Sequence, residues 1–152
     1  HLPTRRQRQM CIRDSIDTDI LQKLVKKNGF IGLSLYPYHL KNLGDCTIED
    51  FCEMIKELVN LIGEDNIGIG SDLCLNWPDD VVMWMRNGKW TKNIDYGESK
   101  DKNPKWPKLP SWYKQPSDLN NLFYLMCENN IPEKVSTKII GQNWFNFMKN
   151  QF

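Results

Sequence analysis

Two short apolar runs, Phe30-Ile-Gly-Leu-Ser-Leu35 and Asn66-Ile-Gly-Ile-Gly-Ser71, constrain this chain more than any other feature. Each is too short for a helix. Tyr36-Pro37 ends the first and Asp72 ends the second, so both read as buried strands. Between them, Thr47-Ile-Glu-Asp50 resembles a capping box with Asp in place of the usual Glu. Ile48, Phe51, Met54, Ile55, Leu58 and Leu61 then mark one face of a helix, which Gly63 stops. Two strands joined through such a helix pair in parallel, by a right-handed crossover. Gly68 and Gly70 inside the second run call for close backbone approach or barrel curvature.

The flanks are helical. Residues 17–28 have apolar side chains at 20, 21, 24 and 25, with Gly29 in the helix-stop position. Ser117 is placed to cap a helix over Asp118–Asn129, and Pro132 fits the first turn of a last helix. That helix carries Val135, Ile139, Ile140, Trp144, Phe147 and Met148 on one side, with Gly141 as a close contact or a kink. Residues 73–116 differ in character: they hold Trp77, Trp84, Trp90, Trp106 and Trp112 with Pro104, Pro107, Pro110 and Pro116. A short helix is expected over Pro78–Asn87, with Asp79 and Asp80 capping it. So long an aromatic loop points to function rather than disorder: its tryptophans wall off a pocket, pack on the exterior or form a subunit contact, the first being favoured. The class is α/β. A doubly wound sheet and a barrel both fit the element order, and both bind ligands at the carboxyl ends of the strands. That puts Tyr36 and Asp72 on the functional face.

Residues 1–15 need separate treatment. Arg5 to Ser15 read as one translation frame of a transposase sequencing adapter, and His1 to Thr4 fit the bases before it. Such a segment is excluded from fold reasoning, and the protein proper is expected to begin near Ile16. Without its four Arg and one Asp, Lys+Arg falls from 20 to 16 and Asp+Glu from 19 to 18, so the net charge moves from +1 to −2. No basic patch then favours a nucleic-acid partner. Cys46, Cys52, Cys74 and Cys127 form no Cys-x-x-Cys pair and read as reduced, partly buried thiols, Cys74 included. His39 is the one histidine left, too few for a His-rich metal site. No apolar run approaches the roughly 20 residues of a membrane span.

Several segments together carry a resemblance. Ser15-Ile-Asp-Thr-Asp-Ile-Leu21, Gly29-Phe-Ile-Gly-Leu-Ser-Leu-Tyr-Pro37, Thr47-Ile-Glu-Asp-Phe51 and Asn66-Ile-Gly-Ile-Gly-Ser-Asp72, in that order and spacing, are similar to the C-terminal part of the membrane (renal) dipeptidase family of zinc metallopeptidases. Gly141-Gln-Asn-Trp-Phe145 resembles that family's closing Gly-x-Asn motif. The likeness covers nearly all of residues 16–152, weakly in the long loop. It implies the last part of a (β/α)8 TIM barrel, with 30–35 as the seventh strand and 66–71 as the eighth, and residues 73–116 as a Trp/Pro-rich insertion. It implies two Zn2+ in the intact protein, on a His-x-Asp, a bridging glutamate and histidines of strands that residues 16–152 do not include. No metal ligand is therefore assigned here, and none of this zinc is expected on the chain alone. The family's substrate-carboxylate arginine belongs to an Arg-Asn pair that would fall at Asp14-Ser15.

The implied chemistry is dipeptide hydrolysis. Two Zn2+ lower the pKa of a bridging water. Asp72, matching the family's last-strand aspartate, hydrogen-bonds that hydroxide or the substrate's free amino group and relays a proton. The family often reads Gly-(Ser/Gly)-Asp-Phe-Asp-Gly where this chain has Gly70-Ser71-Asp72-Leu73-Cys74-Leu75, which leaves the preferred dipeptide open. Asp72 is otherwise an N-cap for a following helix, but its place after a strand favours the site role. Tyr36 is a substrate-binding candidate or a packed rim aromatic. His39 reads as a loop histidine. The rival functions are a barrel amidohydrolase for a cyclic amide or lactone, and a non-catalytic barrel relative. A homodimer of the intact protein and a cytoplasmic or periplasmic location are both left open. With two of eight strands and apolar edges, the isolated chain is expected to be inactive and to aggregate.

Overall fold

Thr47 starts the central helix as its sequence predicts. Its hydroxyl accepts the Asp50 N–H at 3.1 Å, and the helix, α2, runs Ile48–Ile62. Gly63 closes it at φ +82°, in the left-handed region that favours glycine. The structure, a computed structural model, describes residues 17–82 and 105–151. Residues 1–16 and the second half of the expected 78–87 helix lie outside that range; 79–82 are helical. The chain divides into two units, His1–Leu73 with Leu109–Phe152, and Cys74–Lys108.

In the first unit, α1 (Thr18–Lys26) precedes β1 (Ile31–Ser34), and β2 (Ile67–Gly70) follows α2. The strands pair in parallel, Ile31 with Ile67 through Ser34 with Gly70. Each is shorter than its apolar run by one residue at either end. Asn28, not Gly29, takes the left-handed turn after α1, at φ +56°. Asparagine tolerates that region, and the Gly29 N–H closes the turn on the Leu24 carbonyl at 2.8 Å.

Alternation then sorts the two strands. Leu33, Leu35, Ile67 and Ile69 enter one core with Phe51, Ile55 and Leu58 of α2, and with Leu122 and Met126 of α3 (Asp118–Glu128). A fully buried aliphatic or aromatic side chain there contributes about 1.5–3 kcal/mol. Ser117 does not cap α3 with its hydroxyl; the Asp118 carboxylate instead accepts the Lys114 and Gln115 N–H groups at 2.8 and 3.1 Å.

The glycines lie on the other face. Phe30 and Trp144 pack over it, their rings tilted at 51° with centroids 4.3 Å apart. A Cβ at Gly68 would stand 2.6 Å from Phe30 Cζ and 2.7 Å from Trp144 Cδ1. Gly68→Ala is therefore expected to cost about 1–3 kcal/mol through overpacking. A drop in the urea midpoint checks it, and an unchanged midpoint would mean that the two rings yield freely.

The C-terminal segment departs from a regular helix. After α4 (Glu133–Thr137) comes a π-helical turn, Lys138–Gln142, and then α5 (Asn143–Gln151). Gly141 sits in that turn with open space around it, so its role is the kink and not a close contact. A π turn inserts one residue and rotates the buried face. Met148, expected on the apolar side, is accordingly 48% exposed, while Asn143 is 3% exposed. The turn also brings Lys138 to within 2.6 Å of both Glu64 and Asp65, just before β2. Hydrogen bonds to Asp65 and then Glu64 hold its ammonium above the ordinary lysine range.

The rotated segment covers one edge of the sheet. In this register the Ile67 and Ile69 carbonyls point away from β1. Asn143 Nδ2 donates to the Ile67 carbonyl at 2.8 Å and to the Glu64 carbonyl at 2.7 Å. Trp144 Nε1 donates to the Ile69 carbonyl at 2.8 Å. The β2 edge, expected to be bare, is thus capped by side chains. Among the described residues no strand pairs the outer edge of β1.

Candidate active site

Parallel pairing sends both strands out of the sheet on the same side. Ser34 ends β1 in register with Gly70, which ends β2 two residues before Asp72. Asp72 is exposed and holds φ +49°. A non-glycine residue in the left-handed region is uncommon, and Asp and Asn are among those that tolerate it. Residues 73–78 form no helix, so Asp72 caps nothing. Among the described residues its carboxylate has no hydrogen-bond partner, which leaves it open to a ligand or to water.

On the β1 side, Pro37 opens a 3-10 turn over Pro37–His39 that folds the chain back on the strand end. Ser34 Oγ accepts the Tyr36 N–H at 3.2 Å and lies 2.9 Å from His39 Nδ1. The Tyr36 ring meets the His39 ring edge-on at 5.5 Å and the Tyr38 ring at 5.6 Å. Tyr36 is half-buried and His39 exposed. Tyr36 and Asp72 therefore follow paired strand ends. The Ser34–His39 pair was not legible from residue types; the one signal for it is a serine at a strand end followed by a proline-initiated turn.

In the first turn of α2, Asp50 accepts Lys41 at 2.7 Å and Asn42 at 3.0 Å. Lys41, then Asn42 and the Thr47 N–H, hold its carboxyl below the usual range. Burial pushes the Cys46 and Cys52 thiols up to about 11, which makes them inert as expected. Cys74 departs from expectation: it is exposed, because the chain has left the apolar core by that point. Trp112 is no lid. It is 8% exposed, stacks on Phe51 of α2 at 4.9 Å and donates to the Cys46 carbonyl at 2.8 Å. In the second unit Trp106 donates to the Trp77 carbonyl at 2.8 Å, and Trp77 is exposed. Trp84 and Trp90 lie outside the described residues.

Among the described residues no group of three His, Cys, Asp or Glu side chains is arranged to hold a metal ion. His39 is engaged by Ser34, and Asp72 is a single carboxylate. The described residues do not by themselves fit a zinc centre. No helix among the described residues is long and apolar enough to cross a membrane.

Residues 5–79 match the family described as membrane dipeptidase (peptidase family M19). The match begins within the segment 1–15 and runs past Asp72. A crystal structure of an amidohydrolase from Pseudomonas aeruginosa is 27% identical, with a TM-score of 0.71, over 87% of this chain and 39% of that one. The chain thus spans well under half the length of that amidohydrolase. No curated protein matches the chain.

Proposed function

We propose, from the match of residues 5–79 to the family described as membrane dipeptidase (peptidase family M19), that the intact protein is a metal-dependent dipeptidase built on a (β/α)8 barrel. Residues 16–152 form its C-terminal part in this reading. The observation that carries it is Asp72: an exposed, uncapping carboxylate at the end of β2, beside the end of β1. Two Zn2+ in the intact protein would supply a water of lowered pKa, on ligands other than the residues described above. Asp72 binds the free ammonium of the substrate or the attacking water, takes a proton, and returns one to the leaving amine. Tyr36 lines the pocket wall. In this reading the chain by itself is inactive, since the residues expected to hold the metal lie outside 16–152.

The test is made on the intact protein. Dipeptide cleavage should stop with a chelator and return with zinc, and an N-acetylated dipeptide should be a poor substrate. A zinc-loaded protein that cleaves no dipeptide sinks the reading. The likeness to an amidohydrolase structure supports a second reading, hydrolysis of a cyclic amide or lactone with the same Asp72. A substrate panel separates the two.

A further inference from the structure

We propose that Trp144 is a positioning residue for Asp72, acting through the Ile69–Gly70 peptide at the end of β2. The proposal rests on the reading of Asp72 as the site carboxylate; the hydrogen bond that carries it does not depend on the substrate. Trp144 Nε1 donates to the Ile69 carbonyl at 2.8 Å. That carbonyl is the last of β2 to face away from β1, and it lies three residues before Asp72. Within one trans peptide the N–H points opposite to the C=O, so the Gly70 N–H faces β1. β1 and the indole thus hold one peptide plane from its two sides. Beyond it the chain has little of its own to set a course. Ser71 and Asp72 belong to no helix or strand, and Asp72 takes φ +49°. Gly70 leaves the backbone free to turn. The direction in which Asp72 leaves is therefore inherited from the last fixed peptide.

The indole is itself held. It lies over Gly68, where a Cβ would stand 2.7 Å from both Cδ1 and Nε1, and over Gly32, where one would stand 3.4 Å from Cζ2. Phe30 packs against it at 4.3 Å, and Phe147 meets it edge-on at 6.3 Å. The donor cannot swing away without losing these contacts. Its neighbour Asn143 binds the Glu64 and Ile67 carbonyls. The two side chains divide the strand: Asn143 fixes where β2 begins and Trp144 where it ends. A catalytic group has to be held within about 0.5 Å of its productive place, and a misplacement of about 1 Å can cost on the order of 10²-fold in rate. Loss of the Trp144 hydrogen bond should therefore appear in turnover more than in stability, where one neutral hydrogen bond counts for little.

The test uses the intact protein. Trp144→Phe keeps an aromatic ring in the packing and removes the N–H. It is expected to lower kcat for a dipeptide about ten- to hundredfold with KM nearly unchanged. In an Asp72→Asn background the same change should have little further effect, because both act on one group. A merely structural tryptophan would cost the same factor in both backgrounds. That result overturns the proposal, as does an unchanged kcat. The crystal structure of the Trp144→Phe protein reads the same point without turnover. Asp72 in its wild-type place overturns the proposal whatever the substrate is. A displaced Asp72 supports it even if the protein cleaves no dipeptide, which would remove only the dipeptidase reading. Where the variant fails to fold, exchange of the Trp144 indole proton in the wild-type protein decides. Slow exchange supports the clamp. Fast exchange, as when a neighbouring strand of the barrel takes the Ile69 carbonyl in place of the indole, overturns it.

Discussion

Replacing Asp72 by Asn in the intact protein is expected to lower kcat by on the order of 10²–10⁴-fold while metal content and melting midpoint hold. Asparagine is the informative choice for a backbone reason. Asp72 holds φ +49°, and Asn tolerates that region about as well as Asp, whereas Ala would add strain. Asn also keeps the size and one acceptor oxygen of the carboxylate. What it loses is the negative charge and the ability to take a proton. A fall in kcat with intact metal and fold assigns the proton relay to this side chain. A fully active variant would remove Asp72 from the chemistry and reduce it to a turn residue.

The largest stability effect is expected at Asn143. This side chain is 3% exposed and donates to two backbone carbonyls, Glu64 at 2.7 Å and Ile67 at 2.8 Å. Asn143→Ala removes both hydrogen bonds at once. Each buried carbonyl left without a donor costs about 1–3 kcal/mol, so a loss of about 3 kcal/mol is expected. Asn143→Asp should be worse still, because it aims a carboxylate at two carbonyl oxygens and buries a charge. The order wild type, Ala, Asp in urea midpoint, at constant slope, is the measurement. An Ala variant within about 0.5 kcal/mol of wild type, the range of ordinary surface changes, would show that water replaces the amide without cost.

The contrast between these two residues explains what was legible in the sequence. Asp72 stands directly after an apolar run, and the alternation of Leu33, Leu35, Ile67 and Ile69 already fixes which way that run faces. Local pattern was therefore enough for the strands, for α2 and for the place of Asp72 and Tyr36. Asn143 was visible only as part of a Gly-x-Asn resemblance, with no role. Its partners lie more than 70 residues earlier in the chain, and no periodicity reports a contact at that distance. The π turn at Lys138–Gln142 hid the consequence for Met148, since a 3.6-residue period carried through that turn points the wrong side inward. Ser117 was misread because the first-turn N–H groups its hydroxyl would accept go to backbone carbonyls instead, Leu119 to Pro116 and Asn120 to Ser117. The first strand was overrun by one residue at each end because Phe30 and Leu35 are apolar and stay packed after pairing has stopped.

The side-chain cap on β2 also limits how copies of this chain can join. Growth into a fibre by strand addition needs two available edges on every copy, one to receive and one to offer. Here the Ile67 and Ile69 carbonyls are already taken by Asn143 and Trp144, so the β2 edge offers an incoming strand neither of those acceptors.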